Sequence, residues 1–543
     1  MQTDSAENQA TNPATDVESG GFYVQDVDFR SGVVMNQTPS QMALVAAIGG
    51  YLPPDTAGAF TYCDLGCGDG TTVNALAEQY PEASFVGIDF NPGHITTARE
   101  TAKSCGLTNV RFVEASFSGL ADKDLPVFDF VGMNGIYAWM EEPEAKAVRG
   151  FLNNHLRTGG LFYVEYTSLP GKISVQPLWG LVQYLVPPDD AANSRERAQK
   201  GLALTEALAK RGMAYLNAHR PAANGAQSYI RGRRRDEYRA DHFAHNAMAS
   251  GFRPRYVTEM AAEMAEADLT LAGRTELTRN EIELCVPPAQ VPTFQDYKDD
   301  PITVELLKDY IRNEQQRRDV FVKNGTPDRD AADAWLDTNL RIMARMPANR
   351  LQRFITTMGN HRIPLRGPAF EALIKAGTEG TVTPAQIAEQ ENLPVERVRK
   401  AALRLLASNQ FFLCRRDIQG EVPDGQSLTG ITLQGGMNRR TLRLAVERLM
   451  QNLMLAPATG EPNIPVSAIE AVLLQGTLDS GSFEGAPAQA REHLSEVTHV
   501  LPTPNGNKPG KDITESDLRQ VLDAMRGQKL TNMLRLGIVT PKD

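Results

Sequence analysis

The chain has 543 residues, of which 41% are hydrophobic and 22% charged, and its formal net charge is −10. That length exceeds what one hydrophobic core usually serves, so several domains are expected, and the apolar share excludes a chain that is disordered throughout. The acidic balance makes nucleic acid and anionic membranes unfavoured partners unless a local basic patch overrides it.

The N-terminal segment and the cysteines indicate an intracellular protein. Residues 1–20 are polar and acidic and contain no Lys or Arg, so they are expected to form a disordered tail and not a secretory signal. No early apolar stretch approaches the roughly 20 residues that span a bilayer, so we expect a cytoplasmic protein without membrane insertion. Reduced thiols and no metal site are predicted because no CxxC pair occurs among the five cysteines, which are Cys63, Cys67, Cys105, Cys285 and Cys414.

From residue 59 onward, short apolar runs alternate with amphipathic stretches, which is typical of a parallel sheet covered by helices. The connection after the first run repeats apolar residues at helical spacing from Val73 to Tyr80. The sequence therefore predicts an α/β domain with a Rossmann-like sheet over residues 21–170. Its five predicted strands are Phe60 to Leu65, Ser84 to Asp89, Val110 to Glu114, Phe128 to Met133 and Leu161 to Tyr166.

The next region, 171–345, is predicted to be mainly helical, beginning with an insertion in which the strand signal disappears. Within 256–290, the runs LTLAGRTEL and EIELCV predict an antiparallel pair of strands that completes the first sheet, or alternatively a hairpin in a separate helical domain. The charged stretch from Phe294 to Met346 is expected to form helices that face the surface or another subunit.

Residues 346–425 predict a winged-helix-like middle domain, because two helices joined by a turn precede the short strand FFLCRR. Thr383 is the expected N-cap of the first of these helices, with Pro384 at its first position. The amphipathic pattern then returns in RRTLRLAVERLMQNLML, so residues 426–543 are expected to form a C-terminal domain.

The first strand runs directly into DLGCGDG and then a helix, so glycines occur where the backbone has to turn tightly and approach a ligand. The carboxylates of Asp64 and Asp69 would repel a dinucleotide pyrophosphate by about 1 to 4 kcal/mol per close pair, whereas they suit a cationic ligand. This favours S-adenosylmethionine, with its ammonium and sulfonium groups, over NAD or FAD. The candidate cofactor residues in this loop are Asp64, Gly66, Cys67, Gly68 and Gly70.

Two further strand ends extend this candidate pocket. Asp89 ends the second strand, from which a carboxylate accepts hydrogen bonds from the two ribose hydroxyls in such folds, and Phe90 beside it can lie on the adenine. After the third strand, Ser116 takes the place near the adenine amino group and is followed by Phe117. The alternative is a nucleotide-binding-like sheet without a ligand.

After the fourth strand, Asn134 and Gly135 open a segment expected to face the methyl group, since ligands of open α/β sheets bind at the carboxyl edge. Tyr137 and Trp139 alternate on this segment, so on an extended backbone both would line a channel and hold a cationic amine by cation–π attraction of roughly 0.5 to 2 kcal/mol. They are the candidate catalytic residues. Two buried aromatic side chains that pack the following helix are the alternative.

Other polar residues have structural alternatives. His94 and His155 are candidate bases, although both lie on predicted helices, where packing or surface roles are favoured. The basic run of Arg231 and Arg233–Arg235 suits phosphate or an acidic protein, but a solvated helix or loop face is the favoured interpretation. Basic residues also occupy the second helix of the winged-helix-like unit, where an acidic chain favours contact with protein over DNA. These residues are Arg397, Arg399, Lys400 and Arg404.

These segments together resemble a bacterial family, the class I methyltransferases that carry a methyltransferase regulatory domain, whose best-known members are rickettsial lysine methyltransferases of outer membrane protein B. The resemblance rests on DLGCGDG, GIDFNPGHI, FDFVGMNGIYAWM, YVEYTSLPG, RRDVFVKNG and the stretch from YRADHFAHNAM to EADLTLAG. It implies a regulatory and dimerisation role for residues 171–345, a homodimer, and C-terminal units that help to recruit a protein substrate.

The resemblance and the residues lead to one principal hypothesis, protein lysine N-methylation with S-adenosylmethionine as cofactor. A methyltransferase acting on a small molecule or a lipid headgroup is the second. A DNA-binding regulator that uses the methyl donor as an effector is the third, and it requires the basic residues between Arg397 and Arg404 to meet duplex DNA.

Overall fold

The computed structural model describes residues 24, 26–27, 32–230, 236–249, 251–449, 453–457 and 463–542. The predicted tail at 1–20 and the basic run from Arg231 to Arg235 lie outside the described residues.

The predicted first domain contains its five strands within a few residues of the expected bounds, and the strands are joined by helices. The strands are β1 (Thr61–Leu65), β2 (Ser84–Asp89), β3 (Val110–Glu114), β4 (Phe128–Met133) and β5 (Leu156–Thr167). The helices are α1 (Pro39–Ile48), α2 (Thr71–Gln79), α3 (Pro92–Ser104) and α4 (Glu142–His155). All pairings among these strands are parallel, in the order β3-β2-β1-β4-β5, so their carboxyl ends lie at one edge.

Among the described residues of the insertion after β5, the regular secondary structure is helical, as predicted. Trp179 and Phe243 make an edge-to-face contact in its core, with ring centroids 5.4 Å apart. The helices are α5 (Gln176–Leu185), α6 (Ser194–Lys210), α7 (Ala214–Ala218), α8 (Arg220–Ile230) and α9 (Asp236–Ala247).

The following segment returns to the sheet. It contains α10 (Val257–Ala265), β6 (Leu269–Arg274), α11 (Ile282–Cys285), α12 (Pro301–Arg312), β7 (Gln316–Lys323) and α13 (Arg329–Asn339). Strand β7 pairs antiparallel with both β5 and β6, so the complete order is β3-β2-β1-β4-β5-β7-β6. The Rossmann-like α/β fold class is thereby confirmed, with a seven-stranded sheet.

Two predictions in this segment are wrong. The run LTLAGRTEL does add a strand to the sheet, but EIELCV is not its partner and instead contains the short helix α11. The true partner is β7, inside the stretch that was expected to be helical throughout.

Buried charge explains why β7 is hard to recognise from its sequence. Arg317 is fully buried, and its guanidinium contacts Asp319 at 2.9 Å, Asp309 of α12 at 2.8 Å and Glu305 of α12 at 2.9 Å. Charged residues usually indicate a solvated face, because burying an unpaired charge is costly. Here two of the three partners, Asp309 and Glu305, come from α12, which a pattern within the β7 segment does not reveal.

The C-terminal part begins with a small helical unit. Its elements are β8 (Arg341–Ala344), β9 (Phe354–Thr356), β10 (Arg362–Pro364), α14 (Pro368–Glu379), α15 (Pro384–Gln390), α16 (Val395–Ala407) and β11 (Phe411–Cys414). Thr383 caps α15 as predicted, accepting a hydrogen bond from the Gln386 N–H. Strand β11 pairs with β8, which precedes the helices, and not with a following strand of a wing, so a winged helix is not confirmed.

The last region is a mixture of helices and two-stranded pairs around its own apolar core. Its strands are β12 (Gly430–Leu433), β13 (Leu453–Leu455), β14 (Ile464–Val466), β15 (Val500–Thr503), β16 (Gly506–Pro509) and β17 (Val539–Lys542). Its helices are α17 (Gly436–Arg448), α18 (Ala468–Ser480), α19 (Ala486–Leu494), α20 (Glu515–Ala524) and α21 (Leu530–Arg535).

The C-terminal part packs on the first domain through hydrogen bonds and a cation–π contact. The Glu78 carboxylate of α2 accepts the Gly436 N–H at 2.6 Å, and the Arg415 guanidinium lies over the Tyr80 ring at 4.4 Å. The domain boundaries at 170, 345 and 425 remain predictions. Among the described helices, none combines the length and the apolar composition that crossing a membrane requires.

Candidate active site

A cavity of about 530 Å³ opens at the carboxyl ends of the parallel strands. Most of the predicted site residues line it, although they are spread over the loops that follow four strands. These are Asp64, Gly66, Cys67, Gly68, Asp89, Phe90, Ser116, Phe117, Asn134, Gly135 and Trp139. Two predicted site residues, Gly70 and Tyr137, do not belong to its lining.

The loop after β1 approaches the cavity closely because its glycines allow it to. Gly66 has φ +74°, and a Cβ atom there would lie 1.9 Å from Cδ1 of Ile136, so no other residue fits without a shift. Gly70 has φ +72° and begins α2, where a Cβ atom would lie 2.6 Å from that of Ala98. Gly70 therefore allows α2 to pack closely on α3, and its predicted contact with the cofactor stays a prediction.

Asp64 contributes a buried carboxyl to the floor of the cavity. Gln37 donates from Nε2 to its Oδ2 at 3.3 Å. Burial raises the pKa of Asp64 to about 7, and Asp89 adds to that effect. A cation beside Asp64 would favour the ionised form.

Asp69 does not supply the second charge that the sequence suggested for this loop. Its Oδ1 accepts hydrogen bonds from the N–H and the hydroxyl of Thr71, at 3.1 and 2.7 Å, and the residue does not line the cavity. The reason is local, because a short acidic side chain just before a helix readily accepts from the free N–H groups of the first turn.

Asp89 ends β2 with both carboxylate oxygens at the cavity wall. Oδ2 accepts the Gly68 N–H at 2.9 Å, Oδ1 accepts the Asn91 N–H at 2.9 Å, and Nδ1 of His94 lies 3.3 Å from Oδ1. These bonds orient the carboxylate, and Oδ2, which accepts from Gly68, retains a lone pair with which it can accept a ligand hydroxyl.

The wall beside Asp89 is apolar with one hydroxyl. Phe90, Ala115 and Phe117 line it, and Ser116 Oγ accepts the Gly119 N–H at 3.2 Å. Flat apolar faces with a few polar atoms suit a heterocyclic base.

The segment after β4 differs from its prediction. Tyr137 to Trp139 form a 3-10 turn and not an extended strand, so their side chains do not alternate along one wall. Trp139 lines the cavity and stacks on Phe252, with ring centroids 4.6 Å apart. Tyr137 is buried on the other side, where its hydroxyl donates to Glu263 of α10 at 2.7 Å. Burial, followed by Glu263, raises the pKa of the Tyr137 hydroxyl.

Asn134 lines the cavity as predicted, and a hydrogen bond from β5 orients its side chain. The Tyr163 hydroxyl of β5 donates to Asn134 Oδ1 at 3.0 Å. With its oxygen engaged, the amide group of Asn134 can present N–H donors to the cavity.

Glutamates form the part of the wall opposite the loop after β1. Glu141, Glu144 and Glu165 line the cavity, and none of them was singled out in the sequence. Glu141 and Glu144 follow Trp139 at the start of α4, whereas Glu165 is on β5. A wall with three carboxylates and an aromatic face suits a cationic acceptor.

Residues distant in sequence close the cavity. His242, His245 and Asn246 of α9 and Gln316 of β7 line it. The only sequence signal for the three α9 residues was the HFAHNAM stretch, which carried the family resemblance but no chemical role, and Gln316 was not singled out. Of the two candidate bases, His94 lines the cavity, whereas His155 stacks on Phe151 at 4.9 Å and does not belong to the lining.

Two of the four basic residues of α16 are engaged in close ion pairs within the chain. Arg399 forms ion pairs with Asp333 and Asp337 at 2.9 and 2.7 Å, and Arg404 contacts Glu281 and Glu283. A helix whose arginines are engaged in this way has less positive charge to offer to a phosphate backbone.

Two family models match the chain. Residues 58–196 match a methyltransferase domain, and residues 239–323 match a predicted methyltransferase regulatory domain. Both parts of the resemblance drawn from the sequence are thereby confirmed. The cavity lies between them, since α9 and β7 belong to the second match and most of the remaining lining belongs to the first.

Curated relatives share part of the chain. A protein of Synechocystis sp. is 30% identical over 305 residues, which are 55% of this chain and 58% of that protein. A protein of Rickettsia prowazekii is 26% identical over 159 residues, which are 29% of this chain and 28% of that protein. The matches thus span less than two thirds of the length of these relatives.

One solved structure resembles nearly the whole chain. The structure of PKMT2 from Rickettsia typhi in complex with AdoHcy covers 94% of this chain and 99% of its own, with a TM-score of 0.67 and 16% identity. At that identity the likeness establishes the fold, which is that of a class I methyltransferase. The matched methyltransferase domain confirms the predicted cofactor, S-adenosylmethionine.

Proposed function

We propose that this chain, whose residues 58–196 form a class I S-adenosylmethionine-dependent methyltransferase domain, methylates lysine side chains of a protein. The observation that carries the proposal is the acidic and aromatic wall opposite the loop after β1, formed by Glu141, Glu144, Glu165 and Trp139. A lysine side chain combines an apolar stem with a cationic end. The Trp139 ring can pack against the stem, and the carboxylates can attract the charged end.

The other half of the cavity fits the cofactor. We assign the ribose hydroxyls to the Asp89 carboxylate and the adenine to the wall formed by Phe90, Ser116 and Phe117. The buried Asp64 carboxyl is assigned to the cationic methionine end, where a positive charge favours its ionised form. The sequence Gly66 to Gly68 lets the backbone reach the ligand between these two acids.

When bound, S-adenosylmethionine supplies a methyl group whose carbon accepts the lone pair of an amine nitrogen, while the carbon–sulfur bond breaks and its electrons stay on sulfur. The acceptor ammonium first has to release a proton. Because a lysine ammonium in water has a pKa of about 10.4, this release costs roughly 4 to 5 kcal/mol at neutral pH, and desolvation in the cavity reduces the cost. Asn134 and Trp139 then serve to orient the amine in line with the methyl carbon, which is where much of the acceleration arises.

The accessory regions fit a macromolecular acceptor. Helix α9 covers the cavity from one side, so the acceptor has to enter as a narrow side chain or a small molecule. The long C-terminal part packs on the outside of the first domain through α2, and it offers surface for recruiting a protein. The predicted homodimer remains a prediction.

The test is methyl transfer from labelled S-adenosylmethionine in a bacterial lysate. We expect label in protein, recovered after complete hydrolysis as N-methylated lysine. Asp89→Ala serves as the control, because it should remove transfer without affecting the acceptor wall.

Two outcomes would contradict this function. Label that appears only in small molecules or in a lipid extract would support the alternative acceptors. Label in protein that is lost under mild base would indicate carboxyl methyl esters instead of methylated lysine.

A further inference from the structure

One carboxylate of the acceptor wall is held differently from the others. Glu165 lies on β5, between β4 and β7, and its side chain is 12% exposed, whereas Glu141 is exposed at the start of α4. Its carboxylate accepts from Gln316 Nε2 at 2.6 Å and from Arg318 Nε at 2.5 Å, both on β7. Glu165 is therefore fixed by a rigid strand pair rather than by a surface turn.

The position of this carboxylate is next to the segment that follows β4. A Cβ atom built on Gly135 would lie 3.7 Å from Glu165 Oε1, so the carboxylate packs over the backbone beside Asn134. Asn134 and Gly135 line the same cavity at the carboxyl edge of the sheet. Glu165 thus belongs to the part of the wall where cofactor and acceptor meet.

Glu165 shares its cationic partner with a second carboxylate. Arg318 contacts Glu165 on one side and Glu276 on the other, the latter at 2.6 Å from Nη1. Arg274, the other cation near Glu276, is itself surrounded by Asp309 and Glu314. Two carboxylates therefore share the Arg318 guanidinium. Each Glu165 oxygen accepts one donor from β7 and retains a lone pair that can accept from a cation in the cavity.

We propose that Glu165 is the residue that receives the acceptor nitrogen, and so selects amines over neutral or anionic acceptors. It rests on the proposed function, since it assigns a residue to the acceptor side of the same cavity. An amine or ammonium N–H donates to a Glu165 oxygen, and the amide N–H of Asn134 borders the same space. Anionic acceptors would be repelled by this carboxylate and by Glu144 at the mouth.

The experiment uses two defined ligands and the full-length chain. S-adenosylhomocysteine fills the cofactor half and has no charge at sulfur. Sinefungin carries an ammonium group on the carbon that replaces the methylated sulfur, and so puts a cation at the transfer position. We expect Glu165→Gln to weaken sinefungin about ten-fold or more, and to change S-adenosylhomocysteine affinity by less than about two-fold, in isothermal titration.

Two further variants make the comparison specific. Glu276→Gln removes the other carboxylate from Arg318 without touching the cavity, so Glu165 stays in place and sinefungin affinity should fall much less than in Glu165→Gln. Glu165→Asp keeps the charge but retracts it, so it should lower sinefungin affinity less than Glu165→Gln does. Thermal unfolding and S-adenosylhomocysteine binding report whether each variant is folded.

The outcomes separate this inference from the proposed function. If the wild-type protein binds neither ligand, the methyltransferase function itself is wrong. If it binds both, and folded Glu165→Gln or Glu165→Asp has the wild-type ratio of affinities, only the role of Glu165 is overturned.

Discussion

The two halves of the cavity are built in different ways. The cofactor half comes from short loops that follow β1, β2 and β3, all within residues 64–117. The acceptor half joins the loop after β4 and the end of β5 to α9 and to Gln316 of β7. The first half therefore depends on local chain geometry, and the second on contacts between segments far apart in sequence.

The difference has an energetic side as well. Backbone hydrogen bonds hold the cofactor half, as when the Ile88 carbonyl accepts from the Gly66 and Cys67 N–H groups at 2.7 and 2.9 Å. Buried ion pairs hold β7, which carries Gln316 and Arg318 to the acceptor half. We therefore expect a substitution in one half to impair the binding or stability that this half provides and to leave the other half largely unaffected.

The largest effect is expected for Arg317→Met. It leaves Asp309, Asp319 and Glu305 without the guanidinium between them, and removing one member of a buried pair usually costs about 3 to 5 kcal/mol. We expect a loss of this size in the free energy of unfolding, measured by denaturant titration. Arg329→Met, which breaks an exposed pair with Asp333, should cost less than about 1 kcal/mol. Equal losses of stability in both variants would show that the buried ion pairs of Arg317 stabilise the fold no more than an exposed pair does.

In the cofactor half, Asp89→Ala should weaken S-adenosylmethionine binding about 100-fold, because charged acceptors contribute about 1.5 to 3 kcal/mol per hydrogen bond. Isothermal titration measures the change. The matched control is Glu114→Ala, since Glu114 is the neighbour of Asp89 in register on β3, is exposed and does not line the cavity. Unchanged affinity in Asp89→Ala would show that the ribose is bound elsewhere.

The affinity for S-adenosylmethionine should depend on pH through Asp64. In the free protein the pKa of Asp64 is raised to about 7, so below that pH the carboxyl holds a proton that a bound cation displaces. Affinity should rise with pH, by at most about ten-fold per unit, and level off above about 7. Titrations between pH 5.5 and 8.5 test this. Asp64→Asn should flatten the profile and Asp69→Asn should preserve it; a steep profile in Asp64→Asn would assign it to another group.

The smallest effect is expected at the mouth of the acceptor half. Trp139→Ala removes an aromatic face from the cavity, and a cation–π contact of about 1 kcal/mol corresponds to a roughly five-fold higher KM for the lysine acceptor. Steady-state kinetics should find the KM for S-adenosylmethionine nearly unchanged. In Trp139→Phe the KM for the acceptor should be close to the wild-type value. A larger change in the KM for the cofactor than in the KM for the acceptor would show that Trp139 does not contact the acceptor.

The strands of the first domain could be predicted because each has a local cause. Apolar runs of strand length, the glycines of DLGCGDG and the acidic end of β2 act within a few residues of one another. The same holds for Thr383 and Pro384 at the start of α15. Such features require only the backbone conformation of their own segment.

The amino-acid pattern was therefore sufficient to predict the five parallel strands of the first domain and many of the residues that line the cavity after β1, β2 and β3. Only the folded chain shows that β7 is a strand, that Tyr137 turns towards Glu263 and away from the cavity, and that Glu165 belongs to the cavity wall. The three cases have one cause. These side chains are charged or polar, and whether burial is tolerable depends on a partner that another segment supplies, which in these cases is α10, α12 or β7.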